Sequence, residues 1–211
     1  MHRQLVWSAI LCGFALTGMA QGGPILCTAN GGVGPFLPVS SSAVAGDIVI
    51  LCANPAPYPV TLNFDVHLFV NTAVTSQVIK PDGSLETVLL INEPAPGDIL
   101  PGTNAFYAKR EAVNALVWED LSLTFAPAFL PTVLRLSSIR VDTSLTSPDP
   151  LRGPAKVIGL VSFTSQGEVP ALGNPQQVIG YVEPVPEPAS LFLTAGALLG
   201  LCLIGGVRRC L

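Results

Sequence analysis

The chain has 211 residues, of which 49% are hydrophobic and 11% are charged, whereas about a quarter of an average globular protein is charged. This length accommodates one domain of ordinary size together with processing segments. The formal net charge is −4, from 10 basic and 14 acidic residues, and three of the basic residues lie near the two ends. The part of the chain between the ends therefore has a more negative net charge than the whole, which argues against a nucleic-acid partner.

The N-terminus has the pattern of a secretory signal peptide. A short basic start ends at Arg3, the uncharged stretch Leu5–Leu16 follows, and small residues lead up to Ala20. The apolar stretch is shorter than the roughly 20 residues that cross a bilayer. We therefore predict a signal peptide over residues 1–20 with cleavage after Ala20. A lipoprotein signal is disfavoured because Cys12 lies inside the apolar stretch.

The five cysteines are divided by these end segments. Cys12 belongs to the signal peptide, and Cys202 and Cys210 lie near the C-terminus. Cys27 and Cys52 remain in the exported part, and an even number of cysteines in an oxidising compartment predicts a disulfide. Two buried free thiols are the alternative. Metal binding is disfavoured because two widely spaced cysteines without a nearby histidine match no zinc-ligand spacing.

Residues 21–182 are predicted to form an all-β domain. In Val60–Val70 apolar and polar residues alternate, so that Leu62, Phe64, Val66 and Leu68 should face a core. Further strands are predicted at Ile25–Ala29, Asp47–Ala53, Val74–Ile79, Ser84–Ile91, Asn114–Trp118, Leu121–Phe125, Val133–Val141, Lys156–Thr164 and Gln176–Val182. Turn residues such as Pro81-Asp82-Gly83 separate these strands, and the 20 Gly and 20 Pro disfavour helices. We expect an antiparallel β-sandwich, immunoglobulin-like or similar.

Two irregularities are predicted within this domain. The apolar phase of Val133–Val141 slips at Ser137-Ser138, which indicates a bulge. Pro94–Thr103 and Thr143–Pro154 are rich in turn residues and are expected to be long loops.

Residues typical of catalysis or ligand binding are sparse. His67 has no Gly-x-Ser-x-Gly or His-Glu-x-x-His motif beside it, and we interpret it as structural. The neighbouring carboxylates Glu119 and Asp120 should point to opposite faces of a strand, which disfavours them as a catalytic pair. We therefore expect no enzymatic activity and no cofactor.

Two binding functions remain open as alternatives. Calcium takes six to eight oxygen ligands, and the acidic candidates for such a site are Asp82, Asp98, Glu119, Asp120, Asp142 and Asp149. Sugar rings stack on aromatic side chains, for which the candidates are Phe106, Tyr107 and Trp118. In a strand, however, an aromatic residue belongs more often to the core.

The C-terminal region contains three segments in succession. Residues 183–188 form a stiff Pro-rich spacer that includes Pro186, Glu187 and Pro188. Residues 189–207 are uncharged and close to the length of a transmembrane helix. Arg208 and Arg209 begin the basic tail, residues 208–211, and should hold the end of the helix in the cytoplasm as a stop-transfer signal.

This succession, from Val185-Pro186-Glu187-Pro188 through the apolar segment to the two arginines, resembles the PEP-CTERM sorting domain. The resemblance implies cleavage near Pro186-Glu187-Pro188 by exosortase, a membrane-embedded cysteine transpeptidase. The expected partners are thus exosortase, the inner membrane before processing, and exopolysaccharide, because such proteins accompany biofilm systems. The match differs in that Cys210 and Leu211 follow the arginines. It implies an exported structural protein of the cell surface or matrix.

The middle of the chain is similar to an uncharacterised β-rich module of secreted bacterial proteins. The similar phrases are Gly46–Cys52, Val70–Ser76, Leu90–Pro94 and Asn174–Val178. The resemblance supports the β fold and the disulfide, and it implies no activity.

Overall fold

The computed structural model describes residues 25–32, 34–127, 130–146 and 153–183. This part of the chain is all-β, and its helical structure is limited to one 3-10 turn, Pro96–Asp98. In chain order the strands are β1 (Leu26–Asn30), β2 (Phe36–Leu37), β3 (Ala43–Val44), β4 (Ile48–Ala53), β5 (Val60–Val70), β6 (Val88–Ile91), β7 (Ala105–Tyr107), β8 (Lys109–Ala112), β9 (Ala115–Phe125), β10 (Thr132–Ser137), β11 (Arg140–Val141), β12 (Ala155–Thr164), β13 (Ala171–Gly173) and β14 (Gln176–Val182).

Two six-stranded sheets pack face to face around one core. The first sheet has the strand order β13-β1-β4-β10-β6-β7, and the second has the order β2-β14-β12-β5-β9-β8. The strands β3 and β11 form a small separate ladder. The core cluster draws its buried residues from both sheets, for example Ile50 and Leu134 from the first sheet and Val66 and Trp118 from the second. This arrangement agrees with the predicted sandwich of layers.

The prediction that the sheets are purely antiparallel is wrong. β1 runs parallel to β13, with Leu26 opposite Ala171, and β2 runs parallel to β14, with Leu37 opposite Val182. The first two strands of the domain therefore run parallel to its last two, β1 beside β13 in the first sheet and β2 beside β14 in the second, so both terminal segments pass from the first sheet to the second. Each sheet therefore contains one parallel pair of strands at an edge, and its other strand pairs are antiparallel.

The strand β5 confirms the alternation predicted from the sequence. Phe64, Val66 and Leu68 are buried, whereas the intervening Asn63 is exposed and Asp65 is only partly covered. Leu62 is buried as well. Successive side chains of a strand point to opposite faces, so the apolar set of β5 forms the centre of the core in the second sheet.

Several predicted strands differ in extent from the observed ones. The predicted pair Asn114–Trp118 and Leu121–Phe125 is one strand, β9, in which the backbone of Asp120 has a φ of 55°. The register shifts here, because Phe64 pairs with Leu121 whereas Val66 pairs with Trp118. Two residues thus oppose one, which is a β-bulge.

The predicted strand Val133–Val141 is interrupted at Ser137-Ser138, where β10 ends and Ser138 has a φ of 60°. β11 follows and pairs with β3 in the separate ladder, so the slip in apolar phase marks a break between two strands and not the predicted bulge. The predicted strand Val74–Ile79 is wrong. Only the isolated bridges Val74–Val141 and Val78–Leu85 form there. This stretch connects a strand of the second sheet to a strand of the first, so its residues form isolated bridges and no continuous ladder.

The predicted end segments lie outside the described residues. This applies to the signal peptide with Ala20, to the apolar segment 189–207 and to the tail that contains Arg208 and Arg209. Among the residues that the structure does describe, no helix has the length and apolar character needed to cross a membrane.

Candidate functional site

The disulfide predicted between Cys27 and Cys52 is confirmed. The two residues lie directly opposite each other in the antiparallel strands β1 and β4, and both are almost completely buried. Their Cα atoms are 4.0 Å apart, slightly below the usual range of about 4.4–6.8 Å. The bond fixes the first strand of the domain to the middle of the first sheet.

The domain ends where the predicted sorting segment begins. β14 finishes at Val182, and the backbone N–H of Glu183 donates to the carbonyl of Leu37 over 3.3 Å. The sorting motif Pro186, Glu187 and Pro188 follows outside the described residues. The last strand is thus held between β2 and β12 up to the residue before the spacer.

His67 lies on the outer face of β5, and both of its ring nitrogens have partners. Nδ1 is 2.9 Å from the Glu111 carboxylate, and Nε2 is 2.8 Å from the Thr164 hydroxyl. The ring also lies nearly parallel to Phe69, with the two centroids 6.3 Å apart. These contacts join β5 to its neighbour β12 and, across β9, to β8, which agrees with the structural role predicted for His67.

Several of the acidic residues considered as calcium ligands are bonded to neighbouring protein groups. Asp82 bonds the Ser84 amide, and Asp142 bonds both the amide and the hydroxyl of Ser144, so hydrogen bonds from these serines hold the pKa of each carboxyl below its usual value. Asp149 lies outside the described residues. Within the described ranges no group of three or more His, Cys, Asp or Glu side chains is placed to hold a metal ion.

The three aromatic candidates occupy different environments. Trp118 is completely buried among the core residues, and its indole Nε1 has no hydrogen-bond partner in the described part of the protein. Phe106 and Tyr107 lie at the edge of the first sheet and are partly exposed. Trp118 is therefore a packing residue, and only the edge pair can reach a ligand.

An open cleft of about 200 Å³ lies between the edges of the two sheets. We call it the edge cleft, and its lining includes Lys80, Tyr107, Lys109, Glu119 and Asp120. The Lys80 ammonium lies 4.2 Å from the centroid of the Tyr107 ring, a cation–π geometry. Lys109 Nζ is 2.6 Å from a Glu119 oxygen, and this bond raises the pKa of Lys109.

The β-bulge in β9 brings the Asp120 backbone against the neighbouring strand. Its backbone N–H donates to Asp65 over 2.8 Å. Glu119 and Asp120 both line the edge cleft, so the prediction that these two neighbours face opposite sides of a strand is wrong. The extra residue of the bulge disturbs the alternation on which that prediction depended.

The edge cleft combines two ammonium groups, two carboxylates and the aromatic rings of Phe106 and Tyr107. Such a set can hydrogen-bond the hydroxyls of a sugar, with apolar contact from Tyr107. Phe106, Tyr107, Glu119 and Asp120 were candidates from the sequence, whereas Lys80 and Lys109 were not. No sequence signal marks these lysines, because Lys80 lies in a turn region far from β8 in the chain.

No protein-family model matches the chain, and no curated protein is significantly similar to it. Inference of its function therefore depends on its own residues and their geometry.

Proposed function

We propose that this protein is a PEP-CTERM-type exosortase substrate with a structural role at the cell surface or in the extracellular matrix. A signal peptide directs export, residues 189–207 anchor the chain in the inner membrane for a time, and exosortase cuts near Pro186-Glu187-Pro188. The observation that carries the proposal is the succession of Pro-Glu-Pro, an apolar segment of membrane-spanning length and Arg208-Arg209.

Two features of the folded domain support this proposal. The disulfide between Cys27 and Cys52 is the bond expected of a protein that folds in an oxidising compartment outside the cytoplasm. The last described strand ends at Val182, directly before the spacer, residues 183–188, in which we propose that the enzyme cuts. A structural role is favoured because His67 is engaged by Glu111 and Thr164, and Trp118 by the core.

The experiment uses Glu187→Ala and a matched control, Glu183→Ala, in cells that contain exosortase. Glu183 is exposed and its contact to the domain is made by its backbone, so its side chain is dispensable. We expect Glu187→Ala to insert normally but to accumulate as a longer form in the inner membrane, whereas Glu183→Ala is processed like the wild type. Equal processing of the two variants would contradict the proposal.

The edge cleft favours a second candidate function, that of a carbohydrate-binding module. Tyr107 and the Asp120 carboxylate are the groups with which it would contact a sugar. Tyr107→Ser and Asp120→Asn test this function, and asparagine keeps the positive φ of 55° at position 120 favourable. Loss of binding to the host's exopolysaccharide in both variants supports the module. Equal binding by both variants and the wild type would exclude the cleft as the sugar site.

A further inference from the structure

The end of the sandwich where the chain leaves the domain carries exposed apolar side chains. β2 and β14 run parallel and finish together, with Leu37 opposite Val182. Next to this pair, Phe36 is 66% exposed and its ring centroid lies 6.0 Å from that of Tyr181. Val39 follows β2 and is also exposed.

A loop from the small ladder brings a further apolar residue to the same end. The Thr143 hydroxyl lies 2.7 Å from the Pro38 carbonyl, and its N–H donates to the Ser40 carbonyl over 2.8 Å. Leu145, two residues later, is 90% exposed. We call the four residues Phe36, Val39, Leu145 and Tyr181 the exit patch.

The charged groups near the exit patch nearly balance one another. Lys156 lies opposite Tyr181 in the ladder between β12 and β14, and Glu183 follows β14 directly. Asp142 is bonded to Ser144. Because the described residues at this end carry no excess of positive charge, attraction to anionic lipid headgroups is not favoured. Its chemistry is apolar and aromatic, as in the residues that sit at membrane–water interfaces.

The tether keeps this end near the bilayer. Six residues lie between Val182 and Ala189, and the seven Cα-to-Cα steps that join the two span at most about 25 Å. The polar headgroup layer takes up about 5–8 Å of this length. The strand β5, with 11 residues, is itself about 36 Å long, so the tether is too short for the domain to turn over and present its far end to the lipid. Tethering also raises the effective concentration of the patch at the surface.

We propose that the exit patch lies against the lipid surface of the membrane in the unprocessed protein. This inference rests on the proposed membrane anchor, residues 189–207. The contact orients the domain and holds the spacer close to the bilayer, where the sorting enzyme acts. Cleavage removes the tether, and because the patch is small the contact is then lost.

The test uses the unprocessed chain, residues 21–211, in phosphatidylcholine vesicles whose acyl chains carry bromine, a quencher of tryptophan fluorescence. Val39→Trp places a probe in the exit patch. Leu26→Trp is the control, because Leu26 is 51% exposed but lies at the start of β1, which runs toward the exit from the other end. Trp118 is the other tryptophan of this chain, and its burial makes it a constant background.

We expect quenching in Val39→Trp to exceed that in Leu26→Trp at least about twofold, because only the patch reaches the interface. Adding Phe36→Ser and Leu145→Ser to Val39→Trp should lower the quenching to the control value. Quenching should be unchanged by phosphatidylglycerol and by salt.

Flotation of the vesicles separates the two ways in which the idea can fail. A chain that floats with the vesicles but shows equal quenching at both positions overturns the patch and leaves the anchor intact. A chain that does not float overturns both. Quenching that requires phosphatidylglycerol would show that the contact is electrostatic. Protection of the patch only when exosortase is present would show that the patch binds a protein. Either result would overturn an apolar lipid contact.

Discussion

Gly34 packs against Gly180 so closely that a Cβ atom added to Gly34 would lie 2.7 Å from the backbone nitrogen of Gly180. The contact lies where the N-terminal segment passes from the first sheet to the second beside β14. Nearby, the Gly31 N–H donates to the Gln177 side chain over 2.6 Å. The two terminal segments of the domain therefore meet backbone to backbone, and the crossing depends on residues without side chains.

Gly34→Ala should destabilise the domain by about 1–3 kcal/mol, the usual cost of overpacking, because backbone atoms cannot move aside as a flexible side chain can. Gly97→Ala is the matched control, since nothing lies within 4 Å of a Cβ at that position. Urea denaturation measures both variants. Equal unfolding midpoints would show that the crossing is looser than the structure indicates.

Replacing both Cys27 and Cys52 by alanine should lower the free energy of unfolding by about 3–4 kcal/mol, because the bond restricts the unfolded chain over the loop between β1 and β4. The measurement is urea denaturation with and without reductant. We expect the reductant to destabilise the wild type and to leave the double variant unchanged. A reductant effect of the same size in both proteins would contradict a stabilising role for this disulfide.

Phe64→Ala should destabilise the domain by about 3–5 kcal/mol, because it leaves a cavity in the core. Phe64 is 2% exposed and its ring lies 5.3 Å from that of Phe163 and 6.3 Å from that of Phe125, centroid to centroid. Its neighbour Asn63 points to the opposite face and is exposed, so Asn63→Ala should change stability by less than about 0.5 kcal/mol. Thermal unfolding distinguishes the two variants, and a larger effect at Asn63 would reverse the assignment of faces.

The Asp142 carboxyl should make the folded domain less stable in acid. Hydrogen bonds from Ser144 lower the pKa of Asp142 in the folded protein below its ordinary value of 3.8. A carboxyl with a lowered folded-state pKa stabilises the fold above its unfolded pKa, and this contribution disappears as the pH falls from 3.8 through the folded-state pKa. Ser144→Ala should therefore make the urea midpoint less dependent on pH below neutrality. Ser41→Ala, at an exposed position, should behave like the wild type, and equal pH dependence in all three proteins would contradict this role.

The long strands were predictable because side-chain alternation is a local property. Val60–Val70 and Gln176–Val182 have the bounds predicted from the sequence, and the apolar residues of β5 cover its core face. The short edge strands were not predictable. β8, Lys109–Ala112, is exposed at every position, so it carries no apolar alternation, and its pairing depends on β9.

The parallel pairings and the edge cleft depend on contacts between distant parts of the chain. Most of the domain lies between β1 and β13 in the sequence, and no local pattern specifies that the two strands pair in parallel. The cleft likewise joins Lys80, from a turn, to Lys109 on β8 and to the bulge at Asp120. The disulfide, in contrast, could be predicted from the number of cysteines alone, because the exported part contains only two.

Temporary anchoring followed by exosortase cleavage can be tested by the intact mass of the protein from cells with and without exosortase. When the enzyme is present, we expect a mature form that begins after Ala20, ends near Pro186-Glu187-Pro188 and lies outside the inner membrane. Without the enzyme, a form that extends to Leu211 should remain in the inner membrane. A protein that still carries Leu211 in exosortase-containing cells would show that residues 189–207 are a permanent anchor, and the sorting proposal would be wrong.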